Sequence, residues 1–231
     1  TLHLSIQTDL GLASARPAGS QSSADAVRRL VHIPVIHTQA DMGSLSPAIQ
    51  AISIQGLGAQ GWEQNVNLIN EIWMQIEQAI EQWSLPFADV RLYQDGLPVC
   101  GREMEIVTDL AKAGSRNHQL LLRLSKQGAT IMGTESAALL VQEYNLIKEI
   151  LDSRQSAKTA PMDGRLETLS QNLLQQRDQT IGERINSTLR PGEIGLLFLG
   201  MLHSVDRWIA KDIQITRPIQ PRSPADLRPC D

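Results

Sequence analysis

The chain has 231 residues, 42% hydrophobic content, 3% aromatics and a formal net charge of -4. That length can bury a substantial core as one domain, and the hydrophobic content is ordinary for a globular chain. The acidic balance, the lack of a basic run and the scarcity of rings argue against nucleic acid as a main partner; the longest apolar run, residues 194–202 with two glycines inside, is too short to span a bilayer.

Leu2, Leu4 and Ile6 alternate with polar residues and predict a short strand at a sheet edge. Residues 8–25, rich in Gly, Ser and Ala, read as a surface loop. A second strand is predicted over 30–36, where Pro34 lacks a donor and implies interrupted or one-sided pairing. His37 and Asp41 follow just beyond that strand's end. Each also reads as an ordinary turn residue, His37 as a satisfied imidazole and Asp41 as a cap. Leu45, Ile49 and Ile52 predict a short helix, after which Gly56-Leu57-Gly58-Ala59-Gln60-Gly61 matches the dinucleotide pattern G-x-G-x-x-G. A phosphate cradle needs a firm strand ahead of it and a helix opening within it. The helix is indicated by Trp62, Val66, Ile69, Trp73, Ile76, Ile80 and Trp83, but residues 51–55 are short, polar at Ser53 and equally readable as a helix end. A plain connection is the preferred reading, and a nucleotide-dependent oxidoreductase the weaker alternative. The Trp stripe belongs to a core or to an oligomer seam.

Pro86 ends that helix, and a strand is predicted over 89–93. The loop beyond it, dense in turn formers, makes Tyr93, Asp95 and Glu103 second-rank site candidates. Cys100 lies in the same loop, far from Cys230 and outside any CxxC; neither a zinc ribbon nor a disulfide framework is expected, and a reducing cytoplasm is the default compartment. A helix bearing Ile106, Val107, Leu110 and Ala111 breaks at Gly114-Ser115, and another spans 117–126. A brief strand over 129–132 stops at Gly133-Thr134-Glu135-Ser136. Thr134 suits a cap and Glu135 suits a helix start, yet Glu135 also stands where α/β sheets assemble their sites. The next helix is expected to bury Ala137, Leu140, Val141, Tyr144, Ile147 and Leu151, with Glu143 at the margin of that stripe and aimed at the same space. Residues 154–164 read as a polar linker.

The stretch 165–216 is the one the rest serves. Leu166, Leu169, Leu173, Ile181, Ile185 and Leu189 recur at helical spacing, and Arg177 falls inside their stripe. An arginine there either lays its methylenes over apolar surface with its head in water or serves a site. Pro191 and Gly192 end the helix. Ile194, Leu196, Leu197, Phe198 and Leu199 then form the near-continuous apolar run of a strand covered on both faces. It closes on Gly200-Met201-Leu202-His203, where a glycine permits close backbone approach and His203 can project over the sheet's edge. A last strand precedes a tail carrying Pro218, Pro221, Pro224 and Pro229. The whole predicts a single α/β domain over 1–217, its central sheet mostly parallel and flanked by helices, and an extended tail over 218–231.

With Arg177 on a helix and Gly200 to His203 at a late strand end, the chain resembles the superfamily that joins erythromycin esterases, haem-binding iron-regulated lipoproteins, Tiki-type proteases and pheromone-shutdown membrane proteins. That superfamily carries G-x-x-H or G-x-x-E at an early strand end, an arginine on a later helix, and a second G-x-x-H near the chain's end. The last element fits letter for letter and Arg177 fits in position and context. His37 keeps the early strand end without its glycine, and Gly133-Thr134-Glu135 is a source for the acid. About fifty residues carry the likeness. It implies an α/β fold with a His, Glu and Arg cluster at the sheet's carboxyl edge that hydrolyses esters or peptides, with metal in some branches.

The residue chemistry is compatible with that expectation. His37 or His203 would be the base, Glu135 or Asp41 its acidic partner, and Arg177 an anion clamp. Alternatively His37, Asp41 and His203 would ligate a divalent metal that activates water. No G-x-S-x-G is present and Cys100 has no evident base, so a covalent Ser or Cys mechanism is not favoured. The competing class is a non-catalytic module holding a small anionic ligand or a metal and forming a homodimer through the Trp stripe. The expected partner is a small-molecule or peptide substrate, without nucleic acid or membrane.

Overall fold

The computed structural model describes residues 4–7, 10, 27–38, 40–41, 45–156 and 164–221. Its centre is a five-stranded sheet built from β2 (Arg28–Val35), β3 (Val90–Gln94), β4 (Thr130–Met132), β5 (Ile194–Gly200) and β6 (Ile213–Thr216). Short β1 (Leu4–Ile6) and β7 (Ile219–Pro221) form a separate antiparallel pair. All four pairings in the five-stranded sheet are parallel and its order is β4-β3-β5-β2-β6. The apolar run of β5 puts it at the middle, with all seven residues buried, as expected of a strand covered on both faces. β2 pairs with β6 only through Val31 while its pairing with β5 continues to Val35. Pro34 therefore falls where the β6 side is no longer paired, as its missing N–H requires.

Alternation along the strands sends side chains to two cores. On one face, Ile72, Trp73, Ile76, Ile80 and Trp83 of α1 (Ser46–Gln82), Val107 of α2 (Glu103–Lys112) and Leu120, Leu121 and Leu124 of α3 (Arg116–Lys126) pack with Val31, Ile33, Leu92, Leu196 and Phe198. On the other, Ile181 and Ile185 of α5 (Gly164–Thr188) cluster with Leu30, Tyr93, Leu197 and Leu199. Trp73 and Trp83 are spent in this core, their indole N–H groups donating to the carbonyls of Ile36 and Gln7. The later part of the Trp stripe is thus core, while Trp62, Val66 and Ile69 before it are half-buried.

Several expectations are corrected. The short helix, the glycine-rich connection and the Trp helix form one helical run, broken at Gly58, whose φ of 74° only glycine adopts readily. Since helix and not strand precedes Gly56, the G-x-G-x-x-G pattern lacks the context a nucleotide cradle requires. α4 (Ala137–Ser156) packs chiefly on α5, and its expected core residues are half-buried or exposed, Val141 and Tyr144 among the exposed. Leu169 is also exposed, although Leu166 and Leu173 on either side of it in the same stripe are buried. The tail does not begin as a free arm. Ile219 is buried and pairs with Ile6, and Gln7 N–H donates to the carbonyl of Pro218 at 2.7 Å. The remainder, 222–231, lies outside the described residues, as do most of the expected 8–25 loop and 154–164 linker. Among the described residues no helix is long and apolar enough to cross a membrane.

Candidate functional site

Four parallel strands deliver side chains to one edge of the sheet. His37 follows the end of β2, Asp95 follows β3, Glu135 lies just past β4, and Gly200 closes β5 three residues before His203. This carboxyl edge is where ligands of open parallel sheets gather. Asp95 is the hub. Its Oδ1 accepts from Arg177 Nη2 at 2.9 Å and lies 3.5 Å from His203 Nε2. Its Oδ2 accepts Gly200 N–H at 2.9 Å and lies 3.5 Å from His37 Nε2. A Cβ on residue 200 would stand 2.8 Å from Asp95 Oδ2, 3.5 Å from His37 Nε2 and 3.6 Å from His203 Cδ2. The glycine of Gly200-Met201-Leu202-His203 is thus required by the carboxylate it makes room for.

Arg177 projects from the apolar stripe of α5 into the same edge. Its Nε donates to Glu135 Oε2 at 2.6 Å, its Nη2 to Glu135 Oε1 at 2.9 Å as well as to Asp95, and its Nη1 to Glu143. Four of the five guanidinium N–H groups are therefore committed. Glu135 is anchored in turn by Gly96 N–H at 2.7 Å. Burial and the nearby Asp95 push the Glu135 carboxyl upward against the pull of Arg177. An arginine so engaged is a buried structural centre whose positive charge fixes three carboxylates, and not the open anion clamp expected from sequence.

His203 is locked from both sides. Its Nδ1 donates to Asp178 Oδ1 at 2.6 Å, and Asp178 Oδ2 also accepts Ser204 N–H at 3.0 Å. Asp178 reaches this loop because Gly182, one turn on, lets α5 press against Trp208; a Cβ there would lie 2.5 Å from the Trp208 Cβ. Burial alone would lower the His203 pKa, but the hydrogen bonds to Asp178 and Asp95 outweigh it and raise it to about 9. His203 is therefore an imidazolium at neutral pH. His37 is opposed by burial and lifted by Asp95, with the net direction upward; its side chain remains 37% exposed, against 5% for His203. Burial opposes ionisation of Asp95, yet its histidine partners hold its carboxyl well below the usual range. Of the two imidazoles, only His37 has open access to water.

The structure thus gathers His37, Glu135, Arg177 and His203, together with Asp95 and Glu143 from the second rank. Asp41 is not among them. Its Oδ2 accepts from Thr38 N at 2.6 Å and Thr38 Oγ1 at 2.8 Å, and its Oδ1 accepts from Ser115 Oγ. Ser115, the N-cap of α3, also meets His118 Nδ1 at 2.6 Å. Asp41 therefore braces the loop bearing His37 and cannot complete a metal site with His37 and His203. Among the described residues no group of three His, Cys, Asp or Glu is placed to hold a metal ion. Tyr93 points into the second core and bonds Thr188 Oγ1 at 2.9 Å; Glu103 accepts the N–H groups of Cys100 and Gly101 in a turn. Asp178 escaped the sequence reading as a site residue. Its signal was an acid on the helix flank one turn before Gly182, adjacent to a buried arginine. Comparison with protein-family models, with curated proteins and with solved structures yields no match for this chain.

Proposed function

We propose that this edge is a hydrolytic site for esters or peptides, with His37 as the proton-transferring group. The observation that carries the reading is the convergence of His37 and His203 on the buried Asp95 carboxylate at the ends of three adjacent strands. Asp95 orients His37, which takes a proton from water as the water oxygen bonds to the substrate carbonyl carbon. The tetrahedral intermediate then expels the alcohol or amine, which receives that proton from His37, leaving a carboxylic acid. The His203 imidazolium, held by Asp178, places a fixed positive charge beside Asp95 and the reacting carbonyl, while Arg177 keeps Asp95, Glu135 and Glu143 in position. Proton transfer thus falls to His37, and a positioning and electrostatic role to His203. The chain's likeness to the erythromycin-esterase superfamily is compatible with this reading, since the G-x-x-H glycine has a physical task here.

The test is a panel of chromogenic esters and peptides on the wild type, His37→Ala and Asp95→Asn, with thermal unfolding run alongside. Loss of about 10²–10⁴ in kcat on His37→Ala in a folded variant is expected; undiminished turnover would overturn the assignment. The commitment of Arg177 to three carboxylates favours one second reading, a non-catalytic module in which the cluster is structural and the neighbouring space only binds. Binding without turnover in the same panel would select it.

A further inference from the structure

A cavity of about 700 Å³ opens directly beside His37, within the size range of small-molecule sites. Residues from both halves of α1, on either side of the Gly58 break, line it together with Ala113 and Gly114 of the α2–α3 turn. The first half turns Ser46, Ile49, Gln50 and Ser53 toward it, and the second half Trp62, Asn65, Val66 and Ile69; both sets follow helical spacing. The break at Gly58 is what lets one helical run wall a cavity from two sides. No carboxylate lines it among the described residues. Its arginine, Arg116, is committed to Glu77 Oε1 at 3.1 Å and to the Asn70 carbonyl at 3.1 Å. What remains is an apolar wall with neutral amide and hydroxyl groups, suited to an uncharged molecule with a bulky apolar portion and a few hydrogen-bonding atoms.

We infer that this cavity is the acyl-group pocket of the site: it binds the apolar acyl portion of an uncharged ester or amide and presents the carbonyl to His37 at its mouth. The inference rests on the proposed hydrolytic role for its chemistry, while binding can be measured without it. During turnover the bond formed is water oxygen to carbonyl carbon and the bond broken is carbonyl carbon to ester oxygen, with the proton passing through His37 to the departing alcohol.

Two readouts separate the pocket from the chemistry. The neutral fluorophore N-phenyl-1-naphthylamine reports binding, and p-nitrophenyl acetate and butyrate report turnover, each on wild type, Val66→Trp and Ser53→Trp. The two substitutions fill the cavity from opposite halves of α1, and a variant is used only if its unfolding midpoint matches the wild type. Saturable dye binding that falls at least about tenfold in either folded variant supports the pocket. A preference for butyrate over acetate of about tenfold or more, abolished by the same variants, extends it to the acyl group, since even one of the two added methylenes, when well packed, is worth about that factor. Dye binding without any hydrolysis sinks the catalytic reading and the acyl assignment with it. Hydrolysis insensitive to chain length and to both substitutions, or no dye binding in the wild type, overturns the pocket while leaving the cluster's chemistry standing.

Discussion

Gly200 and Gly58 illustrate two unrelated reasons for a glycine. At Gly200 the backbone is that of an ordinary strand, and the constraint is the carboxylate beside it. Gly200→Ala is expected to destabilise by about 1–3 kcal/mol through overpacking and to disturb the site, because the side chain displaced is Asp95. Urea unfolding measures the first effect, and an unchanged midpoint would mean that Asp95 yields without cost. His203 makes a pH-dependent prediction. Its folded pKa of about 9 lies above the ordinary 6.5, so its stabilising contribution is complete below about pH 6.5 and disappears as pH climbs through about 9. For a side chain only 5% exposed, the shift corresponds to a few kcal/mol, on the order of 3. Unfolding free energies from pH 6 to 10 should fall in the wild type and fall less in His203→Gln; parallel curves would show that His203 is not the group responsible. Asp95 has the opposite sign, contributing above the ordinary carboxylate range and losing that contribution in acid.

At the scale of elements, the break in α1 is conformational rather than steric. Nothing lies within 4 Å of a Cβ at Gly58, yet its φ is 74°. Gly58→Ala is therefore expected to cost about 1–3 kcal/mol by forcing a residue with a Cβ into a positive-φ, extended-ψ region that essentially only glycine occupies, or to straighten the run and change the cavity, which chemical denaturation and dye binding together would detect. If neither changes, the break carries no constraint. The Gly56–Gly61 motif shows why a pattern needs its setting: the same glycines that suggest a phosphate cradle after a strand act here inside a helix. Periodicity placed α5 correctly and even put Arg177 on its buried stripe. It could not show that Leu169 would be left in solvent between the buried Leu166 and Leu173, because that depends on which neighbours pack around α5.

For the whole molecule, β7 ties the end of the described chain to its beginning through β1. A chain ending at Arg217 would lose Ile219, 2% exposed, and should be destabilised by about 1.5–3 kcal/mol, the value of burying one such side chain. A calorimetric midpoint equal to that of the full chain would contradict this. The order β4-β3-β5-β2-β6 is equally a property of the whole. It places β5 between β3 and β2, so that Gly200 lies against Asp95, 105 residues earlier, and both imidazoles reach one carboxylate. Sequence alone determined the α/β class, a strand covered on both faces, the helical stripe with its arginine and the strand-end positions of His37, Glu135 and His203, because apolar spacing and turn residues act over a few positions. Tertiary structure decided that Asp95 would be the hub, that Asp178 would hold His203 and that Asp41 would turn away to Ser115. Those outcomes depend on strand order and helix approach, which bring together side chains with no local signature of their meeting.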